Sequence, residues 1–194
     1  MLFTDESVFE GAGFSGQVFV RRLKGEALNP LYCVDKKPHP VKVNAWGGFC
    51  ARGVGYLYIF NETLDSTLLR RILDTHLRQS AALHYSSDPP EQWRLLQDND
   101  PKHKSRLVQE WLHNNGICVL DFPPYSPDLN PAEHLWADLK RRVEQKQAGT
   151  LEELQDALAA EWAATPLHTL ATLAHSMPAR CQAVIACKGE HTKY

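Results

Sequence analysis

The hydrophobic pattern of this chain changes its period near residue 63, and that change limits the folds that the chain can adopt. Before it, four short β-prone runs are predicted as strands: residues 2–9, 17–21, 41–50 and 56–60. A loop or arm with several lysines and prolines is predicted at residues 22–40. After it, apolar side chains recur at helical spacing: Leu64, Leu68, Leu69, Ile72, Leu73 and Leu77.

The second half of the chain alternates before it becomes helical. Two further strands are predicted at residues 93–97 and 117–120, and two helices at about 101–115 and 131–147. The remainder predicts helices alone. This order of elements begins with strands, continues with alternating strands and helices, and ends with helices. It indicates an α/β domain with a mixed sheet and a helical C-terminal layer.

Composition excludes several classes of protein. The 194 residues are enough for one domain with a sizeable core, and no apolar run reaches the roughly 18 residues that a membrane span needs. A formal charge of −2 argues against binding nucleic acid by bulk charge alone. Five scattered cysteines without a CxxC pair are typical of reduced thiols in an intracellular protein.

Helix capping explains some acidic residues better than others. Asp100 directly precedes Pro101 and is predicted to cap the helix that begins there. That leaves Asp98, at the tip of a strand, without a capping role. Glu133 fits equally as the third residue of a capping box that begins at Asn130 and as a catalytic group.

The strand carboxylates also have two interpretations. Asp5 lies in an apolar strand, where an exposed edge position and a functional one are equally plausible. Because adjacent strand residues point to opposite faces, Asp5 and Glu6 are not expected to reach the same site. If Asp5, Asp98 and Glu133 meet at one end of the sheet, they repel one another unless a cation neutralises them. Carboxylate oxygens suit Mg²⁺ or Mn²⁺, and two such ions about 4 Å apart promote phosphodiester displacement.

Several motifs resemble the catalytic domain of the Tc/mariner transposases. They are Phe-Thr-Asp-Glu-Ser at residues 3–7, Trp-Gly-Gly-Phe at 46–49, Gln-Asp-Asn-Asp-Pro-Lys-His at 97–103, and Ser-Pro-Asp-Leu-Asn-Pro-Ala-Glu-His-Leu-Trp at 126–136. The closing segment at 188–194 is also similar to that family. Between Asp98 and Glu133 lie 34 residues (133 − 98 − 1), the spacing of the Asp-Asp-Glu branch. The resemblance covers essentially all 194 residues.

This resemblance implies a ribonuclease H-like fold: a mixed five-stranded sheet flanked by helices, with a helical C-terminal extension. It implies that Asp5, Asp98 and Glu133 are the catalytic and metal-binding residues, with Asp5 bridging two Mg²⁺ or Mn²⁺ ions and Asp98 and Glu133 each favouring one. The implied reaction is hydrolysis at transposon ends followed by attack of the freed 3′-hydroxyl on target DNA. The family targets TA dinucleotides.

The resemblance also implies partners and organisation. Residues 1–194 are expected to form a single catalytic domain from which the family's N-terminal helix-turn-helix modules are absent. The expected partner is double-stranded DNA, both transposon ends and target, without a membrane or a small-molecule cofactor. The arm at 22–40 corresponds to a loop that reaches toward a partner subunit and suggests a homodimer. Action on chromosomal DNA implies the nucleus in a eukaryotic host.

Supporting residues are predicted beside these motifs. Asn99 and His103 flank Asp98 and are candidates to orient a phosphate or support the metal ligands, although His103 fits an ordinary helix position equally well. Basic residues form two clusters that either contact the DNA backbone or are solvated helix faces: Lys102, Lys104 and Arg106, and Lys140, Arg141 and Arg142.

Two other functions remain open at the level of sequence. One is a truncated or domesticated module that keeps the fold for DNA binding or protein interaction without catalysis. The other is a different ribonuclease H-like nuclease, such as one acting on RNA–DNA hybrids, because a fold alone does not fix a function. The 34-residue spacing and the Ser-Pro-Asp-Leu-Asn-Pro-x-Glu segment favour the transposase over that nuclease.

Overall fold

A mixed sheet of five strands organises the chain. The computed structural model describes residues 1–12, 40–87, 92–124, 126–190, 192 and 194, so the predicted strand at 17–21 and nearly all of the arm at 22–40 lie outside the described residues. The strands are β1 (Leu2–Glu10), β2 (Lys42–Cys50), β3 (Gly53–Val54), β4 (Tyr58–Phe60) and β5 (Leu95–Leu96). Their order is β3-β2-β1-β5, and β4 also pairs with β2. This confirms the predicted mixed sheet.

The central strand β1 is antiparallel to β2 and parallel to β5. The buried Thr4 hydroxyl donates to the carbonyl oxygen of Leu96 at 3.2 Å and adds a side-chain contact between β1 and β5. The strand predicted at 117–120 is reduced to one bridge, between Leu95 and Val119. Because β5 itself has only two residues, it offers no longer edge for that segment to pair with.

Helices cover both faces of the sheet. They are α1 (Ser66–Ile72), continued through a π-helical turn (Leu73–Leu77) into α2 (Arg78–Tyr85), then α3 (Arg106–Asn114), α4 (Pro131–Glu144), α5 (Leu151–Ala163), α6 (Leu167–His175) and α7 (Met177–Ala186). A short 3₁₀ helix, Pro127–Leu129, precedes α4. No helix of the described residues is both long enough and apolar enough to span a bilayer.

The alternation of β1 side chains divides the core in two. Phe3 and Phe9 pack on the face covered by α4 and α5, and Leu2 on the face covered by α1–α3. On the first face, the rings of Trp136 (α4) and Trp162 (α5) stack with centroids 5.2 Å apart. This stack fixes α4, the helix that carries Glu133, against the sheet.

The helix predicted from Pro101 begins later than expected. Residues 101–105 form turns, and α3 begins at Arg106 after Ser105, whose hydroxyl accepts the N–H of Val108 at 3.4 Å. The Asp100 carboxylate instead accepts the N–H of Lys102 at 3.0 Å. Asp100 therefore caps a turn, and its predicted role as the cap of the helix is wrong.

Candidate active site

Asp5 is a buried carboxylate at the centre of the sheet. Its side chain projects from β1 beside Gly47 of β2, and only 6% of its surface is exposed. Among the described residues its Oδ2 atom is buried and has no hydrogen-bond partner. Burial, followed by the charges of Glu6, Glu133 and Asp98, raises the pKa of Asp5 well above its ordinary value. Such a group is stabilised in its charged form only if a cation approaches it.

Asp98 follows β5 at the same edge of the sheet. In the parallel register Phe3 pairs with Leu96, and Asp5 and Asp98 each lie two residues further along the chain. The two carboxylates are close enough for the charge of Asp98 to act on Asp5. The Asp98 carboxylate lies 2.8 Å from His103 Nδ1, and this hydrogen bond holds the pKa of Asp98 below its ordinary value despite burial. Asp98 is therefore ionised at neutral pH.

His103 connects Asp98 to the opposite face of β1. Its Nε2 lies 3.0 Å from the Glu6 carboxylate, and its ring is buried. Burial opposes the charged imidazolium, but the hydrogen bonds to Asp98 and Glu6 and their negative charges outweigh it and raise the pKa of His103 to about 10. Both ring nitrogens then donate, which fixes the orientation of the Asp98 carboxylate. Burial and these two contacts exclude an ordinary surface helix position for His103.

Glu133 is in the first turn of α4 and its side chain is exposed. Asn130 caps this helix by accepting the N–H of Ala132 at 3.1 Å. A capping box would require the N–H of Asn130 to donate to Glu133, but it donates to the carbonyl oxygen of Pro127 at 2.8 Å. The capping-box alternative is therefore wrong, and the carboxylate of Glu133 is left to face the cleft.

The three predicted carboxylates converge on one region. Asp98 and Glu133 line the same cleft of about 430 Å³, which is also lined by Phe122, Pro123, Pro124, Ser126 and Pro127. The charges of Glu133 and Asp98 both act on Asp5. Within the described part of the chain, no three Asp, Glu, His or Cys side chains lie close enough together to hold a metal ion between them. The arrangement is an open set of carboxylates at the edge of a cleft.

A divalent cation fits this donor set. The unpartnered buried oxygen of Asp5 and the ionised carboxylate of Asp98 are hard oxygen ligands, which Mg²⁺ and Mn²⁺ prefer. A cation also offsets the repulsion that raises the pKa of Asp5. The side chains present therefore match the predicted metal chemistry.

Two predicted supporting residues stabilise the segment that follows β5. Asn99 Nδ2 donates to the carbonyl oxygen of Phe122, which connects the Asp98 segment to the facing loop. Lys102 Nζ lies 2.8 Å from the Asp100 carboxylate and 3.7 Å from that of Glu6, and its side chain is largely buried. Both contacts support the local geometry around Asp98.

The other basic residues that were predicted to contact the DNA backbone are either exposed or engaged inside the protein. Lys104, Arg106, Lys140 and Arg141 are exposed on the surface of the described chain. Arg142, in contrast, donates to Glu161 Oε2 at 2.8 Å and to the Thr165 hydroxyl at 3.0 Å. Arg142 therefore connects α4 to α5 and the turn after it.

Glu6 is the contributor that sequence reasoning missed. It points away from Asp5, as strand alternation predicts, yet it contacts His103, and His103 contacts Asp98. The two partners are 97 positions apart, and no local spacing rule connects them. The adjacent acidic pair at positions 5 and 6 was the only signal in the sequence.

Comparisons with known proteins show the family of the chain. A family profile of the DDE superfamily endonucleases matches residues 1–155. The chain is 36% identical over 194 residues to the transposable element Tcb1 transposase of Caenorhabditis briggsae, and 37% identical to the Tc1 transposase of Caenorhabditis elegans. Each match covers 100% of this chain and 70% of the relative.

Solved structures identify the same fold. The Mos1 mariner paired-end complexes with Mn and with Mg superpose with TM-scores of 0.76 and 0.75, at 22% identity, over 99% of this chain. This chain spans 56% of the length of the chains in those complexes. The fold is thus that of the ribonuclease H-like catalytic domains. With the sequence matches, it follows that the chain belongs to the DDE superfamily endonucleases of the Tc/mariner transposases.

Proposed function

We propose that this chain is the metal-dependent endonuclease and strand-transfer part of a Tc/mariner-type transposase, with Asp5, Asp98 and Glu133 as its catalytic residues. The observation that supports it most is that Asp98, after β5, and Glu133, at the start of α4, line one cleft while the charges of both act on the buried Asp5 of β1. We infer the type of reaction from the family, and the place of the reaction in the protein from the positions of these three side chains.

In this proposal the three carboxylates hold two Mg²⁺ or Mn²⁺ ions. Bound there, such ions supply a Lewis acid that activates the attacking oxygen and stabilises the leaving one. Asp98 is already ionised because His103 donates to it, whereas burial and the neighbouring carboxylates raise the pKa of Asp5, so a bound cation would favour the charged form of Asp5. His103 and Glu6 keep the Asp98 carboxylate in one orientation. Asn99 keeps the Asp98 segment at a fixed distance from the Phe122 loop.

The reaction consists of two phosphoryl transfers. In the first, a water oxygen bonds to phosphorus and the bond to the 3′ oxygen breaks, which leaves a 3′-hydroxyl and a 5′-phosphate. In the second, that hydroxyl oxygen attacks a target phosphodiester and displaces another 3′ oxygen. The exposed Lys104, Arg106, Lys140 and Arg141 are the basic residues that we assign to the DNA backbone.

The wider assembly belongs to the same proposal. The substrate is double-stranded DNA, as transposon ends and as target, and the active form is a homodimer that acts in the nucleus of a eukaryotic host. Residues 1–194 supply the catalytic domain in this proposal, and they cover 70% of the length of the Tcb1 transposase.

The test is cleavage and joining by the purified chain. We expect Mn²⁺-dependent nicking of supercoiled DNA, and joining of an oligonucleotide with a free 3′-hydroxyl to a plasmid. Asp5→Asn, Asp98→Asn and Glu133→Gln should each reduce both reactions at least about 100-fold. Asp156→Asn, an exposed change of the same kind on α5, should leave both unchanged.

Other outcomes would identify the alternatives. Cleavage of RNA–DNA hybrids in preference to duplex DNA would support a different ribonuclease H-like nuclease. DNA binding without Mn²⁺-dependent cleavage would indicate a module that keeps the fold without the activity. Equal activity in the wild-type protein and the Asp98→Asn variant would remove Asp98 from the active site.

A further inference from the structure

Arg180 of α7 is a buried cation outside the carboxylate site. Only 2% of its surface is exposed. Its Nε donates to the Ser176 hydroxyl at 2.8 Å and its Nη1 to the carbonyl oxygen of Asp128 at 2.7 Å. Its Nη2 lies 2.5 Å from His134 Nδ1, which must accept because a guanidinium can only donate. Burying a guanidinium carries a large desolvation penalty, so these contacts require an explanation.

The partners of Arg180 lie on both sides of Glu133. Asp128 is in the 3₁₀ helix, two residues before the cap residue Asn130, and His134 directly follows Glu133. One planar group therefore contacts the segment before α4 and its first turn together. Because Glu133 lies between these two contacts, its backbone position depends on both of them.

The end of the sequence covers this arrangement. The N–H of Thr192 donates to the Asp128 carboxylate at 2.6 Å. The Tyr194 ring lies over the Arg180 guanidinium, with 4.7 Å from Cζ to the ring centroid, and meets the His134 ring edge-on. A cation–π contact of this kind is strongest where water is excluded. Thr192 and Tyr194, to which the catalytic reaction assigns no role, thus contact the segment that carries Glu133.

We propose that Arg180, together with Thr192 and Tyr194, is a positioning device that fixes the segment Asp128–His134 and so holds Glu133 in place for metal binding. The proposal rests on the proposed function in one respect, the role of Glu133 as a metal ligand. Arg180 is a positioning residue, since all of its described contacts are with protein groups and its side chain is shielded from solvent. The contacts that fix the segment are all between protein groups, so they can be tested in metal-free protein.

Hydrogen exchange in the metal-free protein tests the positioning device directly. In Tyr194→Ala we expect amides of residues 128–134 to exchange about tenfold faster, because one cation–π contact and the cover over a charge-assisted hydrogen bond are lost. Tyr194→Phe keeps the ring and should behave as wild type. Tyr56→Ala, at a half-exposed tyrosine elsewhere, is the matched control and should not change this segment.

A second variant and a second measurement keep the test decisive. Arg180→Met removes every donor at similar length and should exceed the effect of Tyr194→Ala; if it fails to fold, Tyr194→Ala alone decides. Exchange in β1 and β2 should stay unchanged in Tyr194→Ala, which separates a local effect from general destabilisation. Calorimetric titration with MnCl₂ should show at least fivefold weaker binding in Tyr194→Ala and wild-type binding in Tyr194→Phe.

The outcomes distinguish this proposal from the proposed function. Exchange in residues 128–134 that stays within twofold of wild type in Tyr194→Ala would overturn the positioning device, whatever the metal affinity. Weaker Mn²⁺ binding in Glu133→Gln but not in Tyr194→Ala would overturn its effect on Glu133 and leave the proposed function intact. If wild-type protein bound no Mn²⁺, the proposed function would fail, and the role in metal binding with it.

Discussion

Gly47 lies where the sheet, the tryptophan stack and Asp5 meet, and we expect Gly47→Ala to destabilise the protein. Gly47 pairs with Asp5 across β1 and β2. A Cβ atom at this position would lie 2.9 Å from Trp162 Cη2 and 3.1 Å from Trp136 Cη2, well inside the 3.5–4.0 Å at which carbon atoms attract. Trp162 cannot retreat easily, because its indole N–H donates to the carbonyl oxygen of Gly55 at 2.8 Å.

The expected loss for Gly47→Ala is about 1–3 kcal/mol in the free energy of unfolding, the range for one extra methyl group in a well-packed core. For a domain of this size that loss lowers Tm by about 2–12 °C. Urea unfolding followed by tryptophan fluorescence measures it. The control is Gly149→Ala, where the nearest atom is Glu153 Oε2 at 3.7 Å, an ordinary contact. If both variants unfold within about 0.5 kcal/mol of each other, close packing beside Asp5 is not what excludes a side chain at position 47.

Two further predictions concern helix α5 and His103. Thr150→Ala removes the hydroxyl that accepts the N–H of Glu153 and should lower the free energy of unfolding in urea by about 1 kcal/mol, whereas Thr172→Ala, on an exposed face of α6, should not. Despite burial, hydrogen bonds to Asp98 and Glu6 raise the pKa of His103 to about 10, so in metal-free protein its stabilising contribution is complete below pH 6.5 and is lost as pH rises to 10. His103→Gln should flatten the dependence of stability on pH in that window, whereas His113→Gln, exposed on α3, should keep the wild-type dependence.

The sequence predicted those residues of the candidate site whose positions follow from nearby motifs and secondary structure. Asp5, Asp98 and Glu133 were predicted from the resemblance to the transposase family and from their places within or beside elements whose type follows from hydrophobic period and capping. Their convergence followed because the tip of a strand and the start of a helix can meet at one end of a sheet. The mixed sheet and the helical layers followed from the same order of elements.

What sequence could not predict depends on contacts between distant residues. The N–H of Asn130 donates to the carbonyl oxygen of Pro127, so it is not available to the Glu133 side chain and no capping box forms. The late start of α3 accompanies the contact of His103 with Glu6, which has no counterpart in local capping rules. The contacts of Arg180 with Asp128 and His134 join positions 52 and 46 apart, and nothing in the periodicity of α7 predicts a buried arginine.

Under the proposed function, the Asp5 carboxylate binds metal but destabilises the metal-free fold, and Asp5→Asn should show this by a reversal in the order of stability. Because burial and neighbouring carboxylates raise its pKa in the folded state, folded protein binds this proton more tightly than unfolded protein does. As pH rises from the ordinary value of 3.8 through that raised pKa, the wild-type protein without metal therefore loses stability relative to Asp5→Asn. The comparison uses the slope with pH, so any constant difference between the two side chains cancels.

Added Mn²⁺ should reverse that order. An ion bound by the folded protein stabilises it in proportion to the logarithm of its free concentration, so Tm of the wild-type protein should rise with MnCl₂ while Tm of Asp5→Asn stays nearly constant. Thermal unfolding at pH 5 and pH 8, with EDTA and with MnCl₂, measures all four conditions. A parallel pH dependence of the two proteins in EDTA would contradict the buried, repelled carboxylate, and an equal rise with MnCl₂ would contradict its role as a ligand. If both effects are observed, the carboxylate that weakens the metal-free fold is the same one that binds the ion, as a site selected for catalysis requires.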